Sequence, residues 1–374
     1  MELLNIDCLG KKLRLEGSMA GWQQLFWNNQ LVSQVAASPN GDAQIEHTFT
    51  LAAKRADPMI QPPEQAIPAE TIPVRLVSKV QWQPFILEYQ LWQGDKLISE
   101  GERSTQDIER QVPEVAPAKQ QKFSLIGLAS LGFKLLKSAK VVKALLAGAS
   151  VAAYSWLFSI EFALALIACL VFHEYGHIRA MKYFGMKTKG IYLIPFMGGL
   201  ALSDERINTR WQDVVISIMG PTFGLFMSLL CLIAYWITGH IFFAGLASFN
   251  ALLNLFNLLP ILPLDGGHIL KSISFSMNSM VGLIVCVVAA AFGVWLSYSL
   301  GLALLGFLLL IGSLEIVLEW KTRHQSHLLP LDRYGQIFSA VWYFATVGAL
   351  VSIIWYFAGS GDDMLSLPLE ILRS

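Results

Sequence analysis

Val171-Phe-His-Glu-Tyr-Gly-His177 is the stretch on which the reading of this chain turns. Around it, Phe162 to Ala180 is apolar enough to lie in lipid, yet it carries two imidazoles and a carboxylate. An α-helix brings residues four apart onto one face, so His173 and His177 can chelate one cation, with Glu174 beside it to take a proton from bound water. A helix whose histidines are satisfied in a polar core would show the same spacing. Ionisable groups at membrane depth are costly, however, and ordinarily face a cavity with a function.

Composition sets the class. Of 374 residues, 54% are hydrophobic and only 14% charged, against roughly 25% charged in an average soluble domain. The expected fold is therefore a polytopic α-helical membrane protein. Lys plus Arg equal Asp plus Glu at 27 each, which points away from a nucleic-acid partner. Cys8, Cys169, Cys231 and Cys286 are far apart and form no Cys-x-x-Cys pair, so they read as small core hydrophobes. Met1 to Gly10 lacks the charged-then-apolar order of a signal peptide, and insertion is expected to rely on internal helices.

Residues 1–112 are polar enough for a soluble, β-rich domain, read as a small β-sandwich on the cytoplasmic side. Gln24-Leu-Phe-Trp27, the turn Asn28-Asn29 and Gln30 to Val35 predict one hairpin; Tyr89 to Trp92, a turn at Gly94-Asp95 and Lys96 to Ser99 predict another. The shared pattern suggests an internal duplication. The prolines between Ala56 and Pro73 predict a loop, a connector or a contact segment for a protein ligand of this domain. His47 reads as an ordinary strand residue. Residues 113–143 form a linker and then a lysine-rich apolar stretch, either an amphipathic helix on an anionic surface or a membrane-flanking helix.

Apolar runs near 144–159, 162–182, 211–237, 241–259, 280–298, 301–319 and 337–358 predict about seven transmembrane helices within residues 144–359. Lysine and arginine concentrate in alternate loops, which places the N-terminus in the cytoplasm and the short tail, 360–374, outside. A prokaryotic inner membrane is the expected location.

On that topology a third ligand should come from a cytoplasmic helix end. Asn257-Leu-Leu-Pro260-Ile-Leu-Pro263-Leu-Asp265-Gly-Gly267-His268 supplies one. Its prolines break the helix, Gly266 and Gly267 permit a tight turn behind Asp265, and broken backbone at this depth belongs in protein or beside a wet cavity. Asp265 would complete a two-histidine, one-carboxylate zinc site of a hydrolase, with His268 the rival ligand. Asn250, Asn254 and Asn257 recur as a polar stripe, read either as interhelical glue or as donors to a substrate; Asn257, next to the motif, is assigned to the substrate. Ile191 to Leu202, broken by Pro195, Gly198 and Gly199, predicts a re-entrant hairpin whose edge can take an extended peptide. Gly220-Pro221 marks a kink or a close helix approach.

Taken together, His173-Glu174-Tyr-Gly-His177, the Pro-Phe-x-Gly-Gly hairpin, Gly220-Pro221 and Asn-x-x-Pro-x-x-x-Leu-Asp-Gly resemble the site-2 protease family of intramembrane zinc metalloproteases, over residues 160–270. The resemblance implies a three-helix catalytic core, one zinc ion held by His173, His177 and Asp265, and Glu174 as base. It implies substrates that are single-pass transmembrane proteins. Gly198, Gly199 and Asn257 would then line the substrate or its oxyanion. Two other readings of the same residues are a metal-binding transporter and an inactive scaffold that presents the N-terminal domain.

Overall fold

A computed structural model describes residues 1–18, 21–36, 44–52, 71–82, 84–111, 139–194, 198–203, 207–277, 279–299, 312 and 328–359. The chain divides into two compact units, one built on Met1–Gln111 and one on the helical remainder.

The first unit is two four-stranded antiparallel meanders. One holds β1 (Glu2–Cys8), β2 (Lys11–Gly17), β3 (Gln23–Trp27) and β4 (Gln30–Val35). The other holds β5 (Ile45–Ala52), β6 (Thr71–Trp82), β7 (Phe85–Gln93) and β8 (Lys96–Ser104), followed by a single helical turn, α1 (Thr105–Glu109). Both expected hairpins form, each as the third and fourth strands of its sheet. Asn28 and Asn29 both adopt positive φ, 49° and 65°, the backbone that a two-residue turn needs to follow the strand twist. Period-two burial of Val74, Leu76, Ser78 and Val80 along β6 faces the core. The expected loop ends earlier than Pro73, which lies inside β6 opposite Thr50; residues 56–70 of it fall outside the described residues. Leu329, from far along the chain, also belongs to this unit and is buried in its core.

His47 is fully buried on β5. Its Nε2 lies 3.1 Å from Gln23 Oε1, which also accepts from the Ser78 hydroxyl, and its Nδ1 lies 3.0 Å from Ser33 Oγ. A neutral imidazole satisfies both contacts, and burial holds its pKa down at about 4.

The helical unit comprises α2 (Ala139–Leu157), α3 (Ile160–Tyr183), the hairpin β9 (Thr188–Ile194) and β10 (Gly198–Ser203), α4 (Arg210–Thr238), α5 (Ile241–Asn257), α6 (Asp265–Met277), α7 (Ser279–Ser299) and α8 (Arg333–Ala358). Helices α3, α4 and α8 are long and apolar enough to cross a membrane, and Ile241–Asn257 and Met280–Trp295 are shorter apolar segments. Six of the seven expected runs thus correspond to helices among the described residues; the run 301–319 lies outside them, Gly312 excepted, as does the lysine-rich stretch before 139. The first run starts earlier than expected, at Ala139, because Lys140 and Lys143 interrupt its hydropathy without interrupting its helix.

Local sequence marks the ends. Ser159 Oγ accepts from Phe162 N at the start of α3, and Asp332 Oδ1 accepts from Gly335 N at 2.6 Å at the start of α8. Thr209 and Gln212 form a reciprocal capping box at the start of α4, a device worth about 1 kcal/mol.

The buried neutral His47 makes the β unit acid-sensitive. Its folded-state pKa lies below the ordinary 6.5, so the unfolded chain binds more protons between about pH 6.5 and 4, and stability is lost as pH falls through that window. The expected loss is roughly 3 kcal/mol by pH 4. Amide hydrogen exchange of β5–β7 in the intact protein should report it, and His47→Gln should flatten the dependence.

Candidate metal centre

His173, Glu174 and His177 lie on the buried face of α3, at 2%, 4% and 7% exposure. One helical turn separates the two imidazoles, as their spacing requires. Asp265 arrives from 88 positions further on in sequence, as the first residue of α6. The ligand atoms converge: His173 Nε2 and His177 Nε2 are 3.1 Å apart, and Asp265 Oδ2 lies 3.3 Å from the first and 3.5 Å from the second. Among the described residues this is the one group of three such side chains able to share a metal ion. Glu174 Oε1 is 3.9 Å from His173 Nε2, close to the group but outside it.

The chemistry of these donors fits a cation. His177 Nδ1 lies 2.7 Å from the backbone carbonyl of Ile216. A carbonyl can only accept, so Nδ1 carries the proton and Nε2 presents its lone pair to the site. His173 Nδ1 is held 2.7 Å from Asn254 Oδ1 on α5. Two imidazole nitrogens and a carboxylate oxygen facing one point match the ligand set of catalytic zinc sites, with further coordination positions left over. A partner on the far nitrogen of each ring is what holds such ligands in orientation.

Glycines make the approach close enough. A Cβ on Gly176 would sit 2.3 Å from the Met219 carbonyl oxygen, so α3 and α4 touch backbone to backbone there. A Cβ on Gly220 would sit 2.2 Å from His177 Nε2 and 2.8 Å from His173 Nε2. Of the two roles expected for Gly220-Pro221, close approach is thus the one Gly220 performs. Gly266 and Gly267 do something other than expected. Both are helical residues of α6 with no positive φ, and the turn precedes Asp265 instead of following it. Their missing side chains admit the preceding loop, since added Cβ atoms would meet the Leu258 carbonyl oxygen at 2.1 Å and the Ile261 carbonyl carbon at 2.4 Å. The loop contains a cis peptide bond at Leu262-Pro263. The Leu258 carbonyl accepts from the Tyr343 hydroxyl of α8 at 2.6 Å, which satisfies backbone where the helix breaks.

His268 does not join the group. Its Nδ1 lies 3.6 Å from Asp213 Oδ1 on α4, and the other carboxylate oxygen of Asp213 accepts from Ser272 Oγ at 2.5 Å. These contacts fasten α6 to α4 just behind Asp265. Asp213 was not among the residues singled out from sequence, where it is one acid in the first turn of a long helix. Asn250 acts as interhelical glue: its Nδ2 donates to the Gly224 carbonyl at 2.9 Å and to Ser228 Oγ at 2.7 Å. Asn257 ends α5, half-buried. Gly198 and Gly199 open β10, paired with Ile194 and Leu193 in a two-stranded sheet, so the expected hairpin forms. On its other side, Lys143 Nζ donates to the Lys189 carbonyl and lies over the Tyr192 ring.

The geometry at Gly220 yields a prediction. A methyl group there displaces one or both rings, and overpacking of this kind costs about 1–3 kcal/mol. Gly220→Ala should weaken divalent-cation binding by roughly 10- to 100-fold, as measured by competition with a chromophoric chelator.

The chain is similar to known proteins. Residues 161–242 and 237–296 match the description of peptidase family M50. A putative zinc metalloprotease of Synechocystis sp. is 36% identical over 174 residues, 44% of this chain and 45% of the relative. A zinc metalloprotease of Methanocaldococcus jannaschii is 34% identical over 113 residues, 29% of this chain and 32% of the relative. Stage IV sporulation protein FB of Bacillus subtilis is 24% identical over 188 residues, 46% of this chain and 63% of the relative. In each case less than two thirds of the relative is covered. The stretch that matches peptidase family M50 contains His173, His177 and Asp265, so the similarity to that family falls on the residues that converge here.

Proposed function

We propose that this protein is an intramembrane zinc metalloprotease that hydrolyses a peptide bond within or next to the transmembrane segment of a membrane-anchored protein. The observation that carries the reading is the convergence of His173, His177 and Asp265 between apolar helices, with Glu174 buried beside them. The relatives named zinc metalloproteases support zinc as the ion.

His173, His177 and Asp265 would hold the ion. A zinc ion there would act as a Lewis acid that lowers the pKa of water toward about 7. Glu174 takes the proton of the attacking water and delivers it to the leaving amine. A carbonyl inside a helix is shielded by its own hydrogen bond, so the substrate must unwind locally before attack. An edge of the β9–β10 hairpin would hold the unwound segment extended, with Gly198 and Gly199 allowing close approach and Asn257 donating to its backbone or oxyanion.

Lysine and arginine in alternate loops favour a cytoplasmic N-terminus and an external C-terminus, in a prokaryotic inner membrane. In this arrangement the β unit, residues 1–112, is an accessory that binds a protein ligand, residues 144–359 form the protease domain, and substrates are single-pass proteins.

Glu174→Gln removes the proton carrier but leaves the ligands in place. In proteoliposomes, release of peptide from a synthetic single-span substrate should fall by about 10²- to 10⁴-fold, with zinc content unchanged. Equal release by wild type and Glu174→Gln would refute the mechanism, and ion flux insensitive to that change would favour a transporter. Asp265→Ala should lose both zinc and cleavage, whereas His268→Ala should keep its zinc by elemental analysis.

A further inference from the structure

Asn254 does more than bridge two helices. Its Oδ1 lies 2.7 Å from His173 Nδ1, while its Nδ2 lies 2.7 Å from the Asn250 carbonyl and 3.1 Å from Asn250 Oδ1. Asn250 in turn points its own Nδ2 at the Gly224 carbonyl, 2.9 Å away, and at Ser228 Oγ. All these groups are buried, Asn250 fully and Asn254 to 2% exposure, so each donor and acceptor must find its partner within the protein.

The direction of this chain of bonds is fixed at its far end. The Gly224 carbonyl can only accept, so the amide of Asn250 must face it with nitrogen and present its oxygen toward Asn254. Asn254 meets two acceptors from Asn250, the backbone carbonyl and the side-chain oxygen, and must turn its nitrogen to them. Its oxygen is therefore the atom left facing His173, and an oxygen there demands a proton on Nδ1. We infer that Asn254 sets the tautomer of His173, holding the proton on Nδ1 and keeping the Nε2 lone pair aimed at the metal. It is a positioning residue, and the inference rests on the zinc site proposed above.

A glycine makes room for it. A Cβ at position 224 would lie 1.8 Å from Asn254 Oδ1 and 2.2 Å from its Cγ. Gly224 thus supplies both the carbonyl that orients the relay and the space in which the Asn254 amide sits. His177 is held differently, directly by the Ile216 carbonyl. The two ligands of α3 therefore depend on different supports, and a change at 254 should act through His173.

The test uses the full-length protein in nanodiscs and measures zinc affinity by chelator competition, alongside thermal unfolding of the zinc-free form. Asn254→Leu keeps the bulk but removes the acceptor, and its zinc dissociation constant should rise by about 10- to 100-fold. In the same variant the ring ¹⁵N chemical shifts of labelled His173 in the zinc-free protein should lose the Nδ1-protonated signature seen in wild type, a change that lost packing alone would not give. Gly224→Ala leaves every polar group present but pushes the amide aside, and should weaken zinc binding as Asn254→Leu does; it carries the test if Asn254→Leu fails to fold. Wild-type affinity in Asn254→Leu or in Gly224→Ala, or an unchanged His173 ring signature in Asn254→Leu, would overturn the inference. If wild type itself binds no zinc, the metal site falls and the role of Asn254 with it. If wild type binds zinc and cleaves while Asn254→Leu is unaffected, only the role of Asn254 is lost.

Discussion

Three lone-pair donors, two imidazole nitrogens and a carboxylate oxygen, lie within 3.5 Å of one another among apolar helices. Packing such groups together without a counter-charge costs several kcal/mol, and a cation at the point they share turns that cost into binding energy. Much of the helical unit follows from this requirement. Glycine at 176 and 220 brings α4 against the histidine face of α3, and glycine at 266 and 267 lets α6 begin where Asp265 can reach across. The break between α5 and α6 is tolerated because Tyr343, on α8, takes up the Leu258 carbonyl.

The supports around the ligands are as specific as the ligands. Each histidine has its far nitrogen occupied, His177 by a backbone carbonyl that cannot change sides and His173 by an amide that could. The second case needs a longer chain of partners, and that chain ends on another backbone carbonyl, at Gly224. In both cases the orientation of a ring is traced to main chain of α4, whose geometry does not depend on a rotamer. Behind Asp265, the Asp213, Ser272 and His268 contacts fasten α6 to the same helix. α4 is thus the frame against which His173, His177 and Asp265 are set.

The β unit obeys simpler rules. Alternating burial along β6 and positive φ at Asn28 and Asn29 follow from residue types that can be read in order. Its polar core group is less legible, because Gln23, Ser33, His47 and Ser78 come from four strands of two sheets, and nothing in their spacing predicts that they meet. The same is true of Leu329, which an apolar-run analysis assigns to a loop between helices and which in fact fills part of the β core.

By itself the sequence determined the membrane class, the pairing of His173 with His177 and the candidacy of Asp265. Those follow from hydropathy, from a helical period of four and from prolines that stop a helix, all of which act between near neighbours in the chain. Only the tertiary structure decided which asparagine of the stripe meets His173. The spacing of the stripe leaves Asn254 open between interhelical glue and function, but Asn254 lies opposite a glycine on α4 and so is the one whose amide reaches His173. That choice depends on how two helices cross. A crossing is fixed by the side chains missing from the facing helix, which no periodicity within a single helix records.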